Sequence, residues 1–133
     1  MCTLKESYMV RKDDEKIPVE KVLDAMTRTL EGKADRGGKF IFRGEKYKYS
    51  DRMRCFLKKG TNCIYCGRKG LYFILEKNRV SETYHLALYG LTRRGKEVLM
   101  TMDHIVPLSK GGGNTLENEA PCCYECNQLK GAL

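Results

Sequence analysis

Residues 101–113, TMDHIVPLSKGGG, set an acid and a histidine side by side, Asp103 and His104, at the end of an apolar run and just ahead of three glycines. The chain holds only two histidines, and a histidine next to an aspartate is, taken alone, most often a satisfied polar pair. Its surroundings change that reading. Upstream, Cys63 and Cys66 form CIYC; downstream, Cys123 and Cys126 form CYEC. Two close cysteine pairs separated by a long insert suit a tetrahedral Zn²⁺, because each pair supplies two sulfurs from one tight turn and the ion then joins two distant segments. A redox C-x-x-C would sit in a thioredoxin-like setting and would not need a second pair. Cys122 stands as an alternative to Cys123 that the C-x-x-C spacing disfavours, while Cys2 and Cys55 have no partner at ligand spacing.

The chain of 133 residues is long enough for one domain with a modest core and at most a small extra subdomain. Lys and Arg number 25 against 17 Asp and Glu, a formal net charge of +8. That excess favours an anionic partner, nucleic acid first and an acidic membrane surface second. No apolar run approaches the roughly 18 residues of a membrane span, and the opening MCTLKESYMVRKDDEK lacks the apolar core of a signal peptide. A soluble, intracellular protein without membrane partners is therefore expected, in a compartment where its seven cysteines stay out of disulfides.

Working outward from the quoted stretch, PVEKVLDAMTRTLE (18–31) reads as an amphipathic helix: Pro18 suits the first turn, Val19, Val22, Leu23, Met26 and Leu30 recur at helical spacing, and Gly32 ends it. Next, a loop feeds a hairpin in which Phe40, Phe42, Tyr47 and Tyr49 alternate with basic residues around Gly44. Such aromatics either pack on a core or stack bases. Ser50 caps a helix through DRMRCFLKK, closed by Gly60, that delivers the chain to the first cysteine pair. LYFILE, YHLALYGL and EVLMTMDHI read as strands, with His85 a half-buried structural residue of the middle one, and a short terminal helix begins near Cys126.

The residues CIYC, DHIVPLSKGG, Asn118 and CYECNQLKG, in that order, resemble the zinc-stabilised branch of the HNH endonuclease family. The resemblance covers roughly the C-terminal 80 residues and implies a ββα-metal core stapled by the four-cysteine zinc site; with the strand insert and the N-terminal helix and hairpin read above, the expected fold class is α+β. The chain is thus expected to divide into a basic accessory segment, 1–49, and a nuclease domain, 50–133. Asp103 and His104 would lie on the first strand of the core, and Asn127 would begin its helix. His104 is then the base that takes a proton from the attacking water. Asp103 and Asn127 hold a hard divalent ion, Mg²⁺ or Mn²⁺, and Asn118 ties the loop that carries the histidine. Where the family often has a last metal-ligating histidine, this chain has Asn127, which lessens any preference for softer transition metals.

By the same resemblance the substrate is DNA, double-stranded first, cut to a 5′ phosphate and a 3′ hydroxyl, in the manner of small stand-alone nucleases of bacteriophages and mobile elements. Lys110, Lys130, Arg93 and Arg94, with Lys96, are candidate phosphate contacts, Lys130 foremost because it matches the family's lysine. The glycines 111–113 either form a flexible loop or let backbone approach the nucleic acid. The competing expectation is a catalytically inactive zinc-finger nucleic-acid-binding module or a phage assembly scaffold. It shares the cysteines and the charge and differs only in what Asp103, His104 and Asn127 do.

Overall fold

The computed structural model describes residues 9–30 and 38–131; the expected helix stop at Gly32, the start of the loop before the hairpin, and Cys2 lie outside them. In chain order the elements are strands β1 (Met9–Arg11) and β2 (Ile17–Pro18), helix α1 (Val19–Leu30), hairpin strands β3 (Lys39–Phe42) and β4 (Glu45–Lys48), and helix α2 (Asp51–Lys59). Strands β5 (Tyr72–Asn78), β6 (His85–Leu91) and β7 (Glu97–His104) follow, then two 3₁₀ turns, strand β8 (Glu119–Cys123) and helix α3 (Tyr124–Gly131). The fold class is α+β, as expected. Among the described residues no helix is long and apolar enough to cross a membrane.

The larger sheet runs β1-β5-β6-β7-β8, with β2 also on β5, and every pairing is antiparallel. β7 is shared. Its first residues pair with β6 (Leu99 opposite Tyr89), and its last five pair with β8, from Met100 opposite Cys123 to His104 opposite Glu119. Asp103 and His104 thus project past the end of β6 on a strand whose other half is anchored in the sheet.

Local chemistry explains the helices. Val22 and Met26 of α1 are fully buried and Val19 and Leu23 half-buried, while Glu20, Lys21, Asp24 and Arg28 face solvent, the single apolar stripe that makes a surface helix pack. Ser50 caps α2 by accepting from Met53 N–H at 3.2 Å, and Gly60 ends it at φ +102°. The β3–β4 turn needs positive φ at two residues, Arg43 (53°) and Gly44 (80°), the geometry that matches strand twist in two-residue hairpins. Arg43 adopts it while its guanidinium grips Glu15 with two bonds of 2.6 and 2.7 Å.

One core joins both halves of the chain. Ile17, Val22, Met26, Phe40, Phe42 and Tyr49 pack in the same cluster as Met53, Phe56, Phe73, Leu88 and Met100. The hairpin aromatics resolve accordingly: Phe40, Phe42 and Tyr49 are buried and Tyr47 is half-buried against the same core, so the aromatic face packs inward, while Ile41 and the lysines point outward. His85 sits at the start of β6 opposite Glu76, but it is exposed, not half-buried. At the start of β8, Glu119 is fully buried and accepts from the Arg54 guanidinium of α2 at 2.8 Å. Removing one member of such a pair leaves an uncompensated buried charge.

Candidate active site

The knuckle that carries the first cysteine pair is a tight reversal. Cys63 N–H bonds Arg68 O at 2.8 Å, Gly67 N–H bonds Cys63 O at 2.9 Å, and Gly67 takes φ +77°. Ile64 N–H reaches Pro121 O at 2.9 Å, which docks the knuckle on β8, and Arg68 pairs with Glu125 of α3 at 2.7 Å. The second pair straddles the β8–α3 junction. As a result the sulfurs of Cys63, Cys66, Cys123 and Cys126 all lie within 4.8 Å of one another, and those of Cys66 and Cys123 are 3.8 Å apart. Four thiolates around a tetrahedral zinc at about 2.3 Å stand roughly 3.8 Å apart, so the cluster fits that ion.

Cys122 takes no part: it is buried opposite Thr101, its thiol bonds the Cys123 carbonyl at 3.3 Å, and burial pushes it up to about 12. Within the cluster, burial opposes ionisation of Cys63. The backbone N–H groups of Cys123, Cys66 and Tyr65 outweigh it and bring that thiol to about 6. Burial and the neighbouring sulfurs push Cys126 well above the usual thiol range.

β7, the loop 105–118, β8 and α3 together make the ββα unit. Helix α3 begins at Tyr124, two residues before Cys126, so Asn127 is inside its first turns. Asp103 Oδ2 accepts from the Tyr65 hydroxyl at 2.7 Å and from Lys130 Nζ at 2.5 Å. Lys130 Nζ also donates to the carbonyls of His104 (2.7 Å) and Ile105 (3.0 Å) and to the Tyr65 hydroxyl (3.1 Å). Burial lowers the lysine's pKa, but the bonds to Asp103 and Tyr65 prevail and hold it above the ordinary value. Lys130, expected at a phosphate, therefore points inward onto the acid.

Asn127 donates from its amide nitrogen to Thr101 Oγ1 at 3.3 Å. Thr101 and Asp103 share one face of β7, and Asn127 and Lys130 lie one turn apart on the helix above it. Among the described residues, Asp103 Oδ1 and Asn127 Oδ1 make no hydrogen bond. One carboxylate and one amide oxygen remain, the donor set a hard divalent ion prefers.

The loop is pinned. The Asn118 side chain accepts from Val106 N–H at 2.8 Å and donates to the carbonyls of Val106 and Gly113, both at 2.9 Å. Gly112 passes so close that a Cβ there would lie 1.8 Å from Val106 O and 2.8 Å from Asn118 Nδ2. That glycine is needed for packing inside the loop. His104 Nε2 meets Asn114 Oδ1 at 2.8 Å, so the ring is held in place by a residue of the same loop. Arg93 and Arg94 stand exposed at the tip of the β6–β7 turn, and Lys110 is exposed at the end of a 3₁₀ turn.

Sequence reasoning did not single out Tyr65 or Asn114. Tyr65 lies inside CIYC, and a phenol there is a signal only once the knuckle is known to face β7. Asn114 follows the glycines, where an asparagine otherwise reads as a turn residue.

The family model described as HNH endonuclease matches residues 92–133. No curated protein and no solved structure matches the chain.

Proposed function

From an HNH endonuclease domain at residues 92–133, we propose that this protein is a metal-dependent endonuclease that hydrolyses DNA phosphodiester bonds, double-stranded DNA first, to 5′-phosphate and 3′-hydroxyl ends. The observation that carries the reading is the shared strand end: Asp103 and His104 adjacent on β7, under a loop tied down by Asn118 and beside a four-cysteine cluster.

His104, held through Nε2 by Asn114, keeps Nδ1 to take a proton from the attacking water. Asn118 keeps the loop at fixed distance from the strand, so the base does not lose its aim. Asp103 Oδ1 and Asn127 Oδ1 would hold Mg²⁺ or Mn²⁺, which when bound supplies charge opposite the phosphate and the leaving 3′ oxygen. The four thiolates would hold a structural Zn²⁺. Arg93, Arg94 and Lys110 are exposed and would supply contacts to backbone phosphates.

The test is supercoiled plasmid incubated with Mg²⁺ or Mn²⁺, with EDTA controls, nicked and linear products being read on a gel. Wild type is expected to cut. His104→Ala should retain zinc, melting behaviour and DNA affinity while cleavage falls roughly 10²-fold or more. A second reading, a DNA-binding module without hydrolysis, draws on the Lys130 ammonium and Tyr65 hydroxyl seated on Asp103. Wild type that binds DNA and cuts nothing under either ion favours it.

A further inference from the structure

The group around Lys130 Nζ is itself a cation site. Four oxygens surround the nitrogen: Asp103 Oδ2, the carbonyls of His104 and Ile105, and the Tyr65 hydroxyl. Side chains of both charged partners are largely covered, 25% and 11% exposed for Lys130 and Asp103, so water screens the pair poorly. The formal charges at the strand end then cancel, with Asp103 at −1, Lys130 at +1, and Asn127 and a neutral His104 adding none. A divalent ion that approaches Asp103 Oδ1 therefore meets a carboxylate whose charge is already offset by its own lysine partner.

We propose that Lys130 makes the catalytic cation site incomplete without substrate, so that the divalent ion binds weakly to the free protein and tightly only when a DNA phosphate adds its own oxygen and charge. The inference rests on Asp103 being the ligand assigned above. Tyr65, 38 positions from Asp103, is the second positioning residue: with Lys130 it fixes Oδ2, which leaves Oδ1 alone to face the ion. Ion and DNA thereby enter as a linked pair, and the enzyme carries little loaded metal between substrates. By thermodynamic reciprocity, the ion must tighten DNA binding by the factor by which DNA tightens the ion.

The experiment titrates Mn²⁺ into zinc-loaded His104→Ala protein, which cuts DNA roughly 10²-fold or more slowly than wild type, with free Mn²⁺ read by its paramagnetic resonance signal. It is run with and without a short duplex, and duplex alone is subtracted. Duplex is expected to lower the Mn²⁺ Kd by about tenfold or more, since it supplies a full negative charge at short range. Adding Lys130→Met should lower the Kd of the DNA-free protein by a similar factor and shrink the effect of DNA; Lys130→Arg, which keeps the charge, should not.

A merely structural lysine gives the opposite sign, weaker Mn²⁺ binding in Lys130→Met. That result, or an unchanged Kd with zinc retained, overturns the proposal. Should Lys130→Met lose its zinc, the parent protein decides by itself, because equal Mn²⁺ affinity with and without DNA is also fatal. Plasmid cutting by wild type reads the nuclease assignment separately.

Discussion

The N-terminal segment from β1 to the hairpin and the C-terminal unit from β7 to α3 are held by different forces. The first is fastened by burial: Ile17, Val22, Met26, Phe40 and Tyr49 are each at most 2% exposed, packed against the sheet. In the second, β8 is buried, but α3 and both 3₁₀ turns have no buried residue. An eight-residue helix is marginal in water. It stays because Cys123 and Cys126 join the cluster, Asn127 reaches Thr101 and Lys130 reaches Asp103. Apolar packing makes the scaffold, and polar and thiolate contacts make the site, so the two should fail separately.

The widest break of this contrast is removal of residues 1–49. That deletion strips β1 and β2 from β5 and exposes Phe73 and Leu88, so residues 50–133 alone are expected to lose cooperative thermal unfolding. Phe40→Ala alone should cost about 3–5 kcal/mol. A truncated chain that melts sharply would show that the segment is a detachable accessory.

Next in size is removal of zinc, by chelation or by Cys126→Ser. Hydrogen exchange should then accelerate in β8 and α3 and cleavage should vanish, while β5 and β6 amides stay protected. Equal loss across the sheet would erase the distinction between the two units. The smallest effect belongs to the exposed arginines. Arg93→Ala with Arg94→Ala should leave the melting temperature within error and reduce the salt dependence of DNA affinity by about one to two counterions. An unchanged salt slope would remove the β6–β7 turn from the DNA footprint.

Much of the site was legible because its signals are local. The spacing in CIYC and CYEC puts two sulfurs in each turn, whichever fold surrounds them, and the order Asp103, His104, Asn118, Asn127 carries the family resemblance without reference to packing. Ser50, Gly60 and the helical stripe of α1 likewise depend on near neighbours, and these elements form as expected, except that Pro18 closes β2 opposite Tyr72 and α1 starts one residue later, at Val19. β1 and β2, three and two residues long, carry no periodicity to read; they are strands because β5 offers them an edge.

By itself, then, the sequence determined the α+β class, the paired cysteines and the acid–histidine strand end, since each follows from spacing along the chain. Only the tertiary structure decided how those parts meet. It put the Tyr65 hydroxyl on Asp103, chose Cys123 over Cys122 by the facing of β8, buried Phe40, Phe42 and Tyr49 of the hairpin, and turned Lys130 inward from the surface where a phosphate was expected. These outcomes depend on distance through space between residues far apart in the chain, and on which side of a strand each one falls, quantities that a linear pattern does not contain.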